Sequence, residues 1–141
     1  MALDVKKIDV YVAEIEDRPG ALAEKLAPLA EAKVDLAFAF ARRRPDVPGK
    51  GVVYLGPITG AKAKKAAEGV GIVPATDIVA LRVEGPNRPG ALHDVVKVLG
   101  DAGINLRGVS AGVIGKRWVC FLAFDSKEDA QKAARLVKSV K

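Results

Sequence analysis

Residues 17–22 read Asp-Arg-Pro-Gly-Ala-Leu, and residues 87–92 read Asn-Arg-Pro-Gly-Ala-Leu. The two hexapeptides lie 70 residues apart and share five of their six residues. The likeness continues without a gap, because Val-Asp-Leu at 34–36 stands where Ile-Asn-Leu stands at 104–106. Self-similarity at a fixed offset is the sequence signature of a repeated structural unit. The chain is therefore predicted to hold two copies of one small unit.

The repeat divides the 141 residues into a predicted first domain over 1–75 and a predicted second domain over 76–141. In each copy a strand ends at the Arg-Pro-Gly turn, and a helix with apolar residues every three or four positions follows. Two further strands and a second helix come next. The predicted strands are 8–15, 34–41, 52–55 and 71–73 in the first copy, and 78–83, 104–113 and 118–124 in the second. The predicted helices are 22–30, 61–68, 92–99 and 127–137.

The order β-α-β-β-α-β is that of a ferredoxin-like unit, in which an antiparallel sheet carries two helices on one face. The predicted fold class is therefore α+β, with two such units. The second copy ends just after its second helix, at residues 138–141. Its fourth strand is either missing or supplied from elsewhere in the chain, and residues 2–5 are one candidate.

Single residues predict where the helices begin and end. The proline of each motif, Pro19 or Pro89, suits a first helical turn, where its missing N–H would be unpaired anyway. Lys33 and Gly103 mark the ends of the first helix of each copy, and Gly103 is the better left-handed cap. Ser126 is the predicted N-cap of the last helix.

The turn of the second copy has the chemistry of a small anion site. The first turn of a helix leaves backbone N–H groups unpaired and carries partial positive charge, and Gly90 has no side chain to block approach. Asn87 can cap the helix or bind a ligand, and Asn105 is expected near the same turn. Such a set suits a zwitterion, whose carboxylate faces the helix end and whose ammonium faces amide and carbonyl oxygens. Capping and turn geometry alone also explain this corner, so a purely structural role stays open.

The two copies differ at the matching polar positions. Asn87 and Asn105 are the chain's two asparagines, and Asp17 and Asp35 stand in their places in the first copy. A carboxylate pair repels an anionic group and favours an ammonium. The two copies are therefore not expected to bind the same ligand equally well.

Composition excludes several classes of protein. Half of the residues are hydrophobic and 28% are charged, which is typical of a globular chain. No apolar run approaches the roughly 18 residues of a membrane span, so no membrane association is predicted. One cysteine and one histidine cannot form an internal disulfide or a Cys/His zinc site, and no metal or cofactor is predicted. Because no basic and apolar leader opens the sequence, we expect a cytoplasmic protein.

The repeated hexapeptide, with Lys-Val-Asp at 33–35 and Gly-Ile-Asn at 103–105, resembles the ACT-domain family over both halves of the chain. The resemblance implies a stand-alone tandem ACT protein, a regulatory module that binds an amino acid or a similar small zwitterion. A regulatory module of this kind also implies a metabolic enzyme as partner, and the open edges of the predicted sheets lead us to expect a homodimer. In that family the ligand lies between two ACT units, held by the loop after the first strand and by the start of the second.

Carried over residue by residue, the resemblance implies a ligand site in each copy. The second-copy residues are Asn87, Pro89, Gly90, Ala91, Leu92, Asn105 and Leu106. The first-copy residues are Asp17, Gly20, Ala21, Leu22, Asp35 and Leu36. The acidic pair of the first copy and the absent last strand of the second copy both depart from the family's pattern.

Three other functions compete with this interpretation. Catalysis is not predicted, because His93 has no nearby nucleophile and Cys120 lies among apolar residues of a strand. Nucleic-acid binding is not predicted despite the net charge of +6, because aromatic residues make up only 5% of the chain. The three arginines at 42–44 are interpreted as a solvated strand exit. A ligand-independent interaction module, or a regulatory subunit of an enzyme, is the main alternative.

Overall fold

The computed structural model describes residues 3–140 and divides the chain into two compact units. The first unit comprises residues 9–75, and the second joins residues 76–140 to the segment that ends at Ile8. The elements of the first unit are β2 (Tyr11–Glu16), α1 (Ala21–Glu31), β3 (Phe38–Arg43), β4 (Lys50–Gly56), α2 (Ala61–Glu68) and β5 (Val73–Pro74). Those of the second unit are β1 (Asp4–Ile8), β6 (Val79–Pro86), α3 (Ala91–Asp101), β7 (Gly108–Ile114), β8 (Arg117–Phe124) and α4 (Lys127–Lys138).

Each unit has one four-stranded sheet, and every strand pair in it is antiparallel. The strand order is β3-β4-β2-β5 in the first unit and β1-β6-β8-β7 in the second. The two orders match when one is read in reverse, because β2, β3, β4 and β5 correspond to β6, β7, β8 and β1. The predicted α+β class and the two ferredoxin-like units are confirmed.

The fourth strand of the second unit comes from the N-terminal segment. β1 pairs with β6 in a register that sets Asp4 opposite Glu84 and Ile8 opposite Ala80. Residues 2–5 were one candidate for this strand; it begins at Asp4, and residue 2 lies outside the described residues. The observed units thus differ from the predicted boundaries, because the first eight residues belong with the second copy.

Several predicted segments change their limits. The single strand predicted at 8–15 is two strands, because the chain leaves β1 after Ile8 and enters the other unit at β2. The strands predicted from residues 34 and 104 begin only at Phe38 and Gly108. The residues between helix and strand instead pack onto the core, as Val34 and Ile104 do. The predicted helix at 61–68 is confirmed in both limits.

Each unit has its own apolar core between sheet and helices. The first contains Leu29, Val53, Leu55 and Ile72. The second is larger, and it contains two aromatic side chains and four of leucine or isoleucine: Trp118, Phe124, Leu81, Leu99, Ile104 and Leu122. Among the helices of residues 3–140, none is long and apolar enough to cross a membrane.

The predicted helix ends are confirmed at three positions. Ser126 caps α4, since its Oγ accepts the Asp129 N–H at 3.1 Å. Lys33 and Gly103 both follow their helices with left-handed backbone, at φ 60° and φ 76°. Lys33 is the one described residue other than glycine with a positive φ.

Candidate ligand site at the repeated turns

The Arg-Pro-Gly segment of each copy is a type II turn that precedes the helix. Gly20 has φ 84° and ψ −13°, and Gly90 has φ 81° and ψ 1°. In each turn the N–H of the following alanine donates to the arginine carbonyl at 3.3 Å. These angles are those of the third residue of a type II turn, with proline in the second position. The prediction that the proline lies within the first helical turn is therefore wrong.

The glycine of each turn is required by its backbone angle. A Cβ built on Gly20 would meet no atom within 4 Å, and one built on Gly90 would meet only Arg88 at 3.9 Å. A left-handed φ disfavours any residue with a side chain. The expectation that Gly90 serves to leave room is replaced by this conformational reason, and a side chain at Gly90 would strain the turn whether or not a ligand binds.

The helices that follow have no side-chain cap. Gly20 and Gly90 are the N-cap residues of α1 and α3, and neither helix receives a side-chain hydrogen bond there. Asn87 therefore does not cap α3, which leaves ligand binding as its other predicted role. The N–H groups of the first helical turn stay available to an anion, with the favourable end of the helix dipole behind them.

In each copy the arginine of the turn forms an ion pair with an acidic residue of the following helix, and we call this pair the arginine clasp. Arg18 donates to Glu24 at 2.5 Å and to the Pro19 carbonyl at 3.3 Å. Arg88 repeats this geometry with Asp94 at 2.7 Å and the Pro89 carbonyl at 3.2 Å. The guanidinium hydrogen bonds hold the pKa of the Glu24 and Asp94 carboxyls below their ordinary values, with His93 adding to the effect at Asp94. The arginines thus stabilise the turn, and their role was not apparent from spacing alone.

The polar residue at the start of each motif has different surroundings in the two copies. Asp17 accepts a hydrogen bond from Arg43 Nε at 2.9 Å, while Asn87, at the matching position, is exposed. The counterpart of Arg43 at the offset of 70 is Val113. The first-copy carboxylate is therefore already paired with a cation, which weakens its predicted attraction for a ligand ammonium. Sequence reasoning missed Arg43, although the 70-residue alignment with Val113 carries that signal.

The two asparagines of the second unit lie at opposite ends of its sheet. Asn87 follows Pro86, which is opposite Arg117 at the start of β8. Asn105 precedes Arg107, whose N–H donates to the Ala123 carbonyl near the end of β8 at 2.8 Å. Six residue-to-residue steps along β8 separate these two points, a distance of about 20 Å. The expectation that Asn105 lies near the turn of Asn87 is wrong within one unit.

The first unit shows the same separation. Asp17 follows Glu16, which is opposite Lys50. Asp35 precedes Ala37, whose N–H donates to the Gly56 carbonyl at the other end of β4 at 2.8 Å. β2 and β3 are both antiparallel to β4, which lies between them, so they run in the same direction. The end of β2 and the start of β3 therefore lie at opposite ends of the sheet.

The remaining site residues fall into two groups by exposure. Leu22 and Leu92 are each 37% exposed and can contact a ligand or another chain. Ala21 and Ala91 are 6% exposed and belong to the core side of their helices, so only their backbone could contact a ligand. Leu36 and Leu106 are half-buried and pack against the cores.

The two side chains considered for catalysis, Cys120 and His93, differ in burial. Cys120 is buried, as expected, and desolvation raises the pKa of its thiol to about 12. His93 is exposed, and its Nδ1 lies 3.2 Å from Asp94 Oδ1. No cluster of metal-ligating side chains occurs among the described residues.

Two sheets of four antiparallel strands, each with its own pair of helices, define a protein of two ferredoxin-like domains. Residues 79–139, most of the second unit, match the family model of the ACT domain. The first unit repeats its motif and strand order. The hexapeptide resemblance to the ACT domain is thus confirmed for the second unit, and the predicted tandem of two ferredoxin-like units is confirmed for the chain.

Solved structures share this fold over nearly the whole chain. A protein from Bacteroides thetaiotaomicron has a TM-score of 0.76 and 16% identity over 93% of this chain and 88% of its own. The ligand-free regulatory subunit of aspartate kinase from Thermus thermophilus has a TM-score of 0.69 and 16% identity, over 99% and 97%. Aspartate kinase from Clostridium acetobutylicum has a TM-score of 0.60 and 16% identity over 96% of this chain, which matches 33% of that enzyme. No curated protein sequence gives a significant match.

Proposed function

We propose that this protein is a regulatory sensor that binds an amino acid or a similar small zwitterion through its second ACT unit. The observation that carries the proposal is the uncapped start of α3 beside an exposed Asn87 that is not paired with an arginine. The free N–H groups suit a carboxylate, and the asparagine oxygens suit an ammonium. The likeness in fold to a regulatory subunit of aspartate kinase supports a regulatory role.

The ligand site in this proposal is shared between two copies of the chain. Asn87 and Asn105 are about 20 Å apart in one unit, whereas an amino acid is well under 10 Å long. A ligand that contacts both residues must therefore take Asn87 from one unit and Asn105 from another. We propose a homodimer in which β7, an edge strand with exposed Val109, Val113 and Ile114, faces its counterpart.

A thermal-shift screen of the twenty amino acids tests the ligand. One compound at about 100 times its dissociation constant is expected to add about 2.7 kcal/mol to the free energy of unfolding. Asn87→Asp and Asn105→Asp, which convert the second copy to the first-copy pattern, are expected to remove the shift. The matched variants Asp17→Ala and Asp35→Ala are expected to retain it. A screen without any shift would exclude the amino-acid form of the proposal.

A metabolic enzyme is the proposed partner, and ligand-independent regulation of that enzyme is the alternative function. The supporting observation is that structures of similar fold include both separate regulatory subunits and a segment of a larger kinase. Co-expression with each enzyme encoded by a neighbouring gene, followed by size-exclusion chromatography with and without the amino acid, tests it. A stable complex that ignores the amino acid would favour the alternative. A cytoplasmic location belongs to the same proposal.

A further inference from the structure

The two units differ in how much of the strand before the Arg-Pro-Gly turn is paired with the fourth strand of the sheet. β1 pairs with five residues of β6, from Ala80 to Glu84. β5 pairs with only two residues of β2, Tyr11 and Val12. At the offset of 70, Glu14 is the counterpart of Glu84. Glu84 is opposite Asp4, but no described strand pairs with Glu14 on that side of the sheet.

The uncovered part of β2 presents backbone groups ready for pairing. The Asp17 N–H donates towards β4, to the Gly49 carbonyl at 3.0 Å, and the Val10 carbonyl accepts from Ala75 on the opposite edge at 2.9 Å. Because the direction of backbone groups alternates along a strand, Glu14 and Glu16 point to the edge that Val10 faces. The N–H and C=O of Glu14 and the N–H of Glu16 therefore face the open edge.

A cleft of about 270 Å³ lies along this edge, within the first unit. Its walls are the open end of β2, the turn and first residues of α1, the start of β4 and the segment that follows α2. The lining residues are Glu14, Ile15, Glu16, Arg18, Ala21, Glu24, Lys25, Lys50 and Val70. In the second unit the N-terminal strand occupies the equivalent edge, and Leu3 lies so close to Gly85 that a Cβ there would be 2.5 Å from it.

The inner wall of the cleft has an unusual cation. Lys25 stands where the second unit has Val95, which is 0% exposed in the core. The Lys25 side chain is half-buried, and its Nζ donates to the Val70 carbonyl at 2.7 Å. An ammonium has two further donors, so Lys25 can also bind a carboxylate within the cleft.

The other cations of the cleft already have carboxylate partners. Arg18 is paired with Glu24, and Lys50 donates to Glu16. Ile15 stands where the second unit has Gly85, so the space that Leu3 fills there is reduced here. A residue opposite Ile15 therefore has less room than Leu3 has opposite Gly85, which favours a short side chain. Such a side chain is on the same face of the sheet as Ile15, and Ile15 and Lys25 both line the cleft.

We propose that an extended, acidic segment of a partner protein adds to the open edge of β2 as an antiparallel strand. Its backbone pairs with Glu14 and Glu16, and an inward carboxylate opposite Ile15 pairs with Lys25. Strand addition of this kind takes affinity from main-chain hydrogen bonds and specificity from alternate side chains. The site belongs to the first unit and does not depend on amino-acid binding by the second.

Backbone amide exchange measured by NMR on the full-length protein tests the open edge. The Glu14 amide is expected to exchange rapidly, while the Glu84 amide, covered by β1, is expected to be protected. The probes are two terminally blocked pentapeptides, Thr-Val-Thr-Asp-Thr and Thr-Val-Thr-Lys-Thr, whose fourth residue lies opposite Ile15 and whose last residue lies opposite Glu14. The acidic peptide is expected to bind at least tenfold more tightly, to shift the Glu14 and Glu16 amide resonances and to slow the exchange of Glu14.

Three variants separate the backbone contact from the side-chain contact. Glu14→Pro removes the outward N–H without removing a donor to β4, and is expected to weaken the acidic peptide at least tenfold. Its control, Glu14→Ala, keeps the N–H and should bind within about twofold of the wild type. Lys25→Met should abolish the preference for the acidic peptide. A protected Glu14 amide in the free protein, no saturable binding, equal affinity for both peptides, or resonance shifts confined to β3 or β7 would each overturn the proposal.

Discussion

At the scale of single residues, the two copies meet the same backbone requirement with different side chains. The chain turns out of α1 at Lys33 with φ 60° and out of α3 at Gly103 with φ 76°. A left-handed conformation costs a residue with a Cβ about 1 kcal/mol or more, and glycine almost nothing. The first unit therefore contains a strained position that the second unit has relieved.

Lys33→Gly is expected to stabilise the first unit by about 0.5–1 kcal/mol, because relief of the strain exceeds the added freedom of glycine in the unfolded chain. Urea unfolding monitored by circular dichroism measures the change. Lys33→Ala, which keeps a Cβ, is the control and should leave the unfolding midpoint nearly unchanged. Gly103→Ala should destabilise by a similar amount, and a stabilising Gly103→Ala would contradict the explanation.

The arginine clasps predict a direction of pH dependence. The pKa of Glu24 and of Asp94 is lower in the folded chain than the ordinary values of 4.5 and 3.8. The unfolded chain therefore takes up these protons first, so the clasps stabilise the fold above those values and lose this effect as the pH falls. Urea midpoints measured between about pH 6 and pH 2 should drop less steeply for Glu24→Gln and Asp94→Asn than for the wild type. A wild-type slope in both variants would contradict this role of the clasps.

At the scale of elements, the sequence predicted the helices and the order of elements along the chain, but it offered the N-terminal segment only as a candidate for the fourth strand. Each copy has a second helix after its third strand, and the observed limits of α2 and α4 lie within one residue of the predicted ones. The alternation from Ile8 to Ile15 looks like one strand because nothing local marks the break at residues 9 and 10. Pairing between β1 and β6 joins residues more than 70 positions apart, and a one-sequence pattern does not encode such a contact.

The order of the strands in the second sheet explains which part of the site could be predicted. Spacing located the turns at Gly20 and Gly90, because only glycine suits their backbone angle. The separation of Asn87 from Asn105 depends on the intervening strand β8, which lies between β6 and β7 in space but after both in sequence. Asn87 and Asn105 belong to one sequence motif, but they lie at opposite ends of the folded sheet.

β1 is expected to be essential to the second unit. The outward edge of β6 carries the backbone groups of its even-numbered residues, because the Asn87 N–H donates to Lys116 on the β8 side at 2.9 Å. Lys6, opposite Arg82, therefore directs its N–H to β6, whereas Lys7 directs its N–H away. Lys6→Pro should destabilise the second unit by about 1–3 kcal/mol, and Lys7→Pro should cost clearly less. Thermal unfolding monitored at Trp118 measures both, and equal losses would contradict the register.

At the scale of the whole molecule, the free edges of the two sheets differ in character. β3 ends at Arg43, and Arg43 and the following Arg44 stand where the second copy has Val113 and Ile114. Ile114 is 77% exposed and Val113 is 57% exposed. Charged edges resist strand pairing and apolar edges favour it, which is why the dimer is proposed through β7.

A lysine at that edge is expected to break the dimer. Ile114→Lys should shift the protein towards monomer in sedimentation velocity at micromolar concentration, because two like charges would meet across the paired strands. Val73→Lys changes an exposed apolar residue that is 46% exposed on β5 of the first unit, and it should leave the dimer intact. An unaffected association in the Ile114 variant would place the dimer interface on another surface.

The most direct test of the shared ligand site is a mixing experiment. Asn87→Ala and Asn105→Ala are each expected to abolish calorimetric binding of the amino acid that the thermal screen identifies. If each site takes Asn87 from one copy and Asn105 from the other, re-equilibrated equimolar mixtures contain one intact site in every mixed dimer. Random pairing makes half of the dimers mixed, so binding should return with wild-type affinity at about one quarter of the wild-type stoichiometry. Wild-type binding combined with no recovery in the mixture would show that the site is not shared between copies.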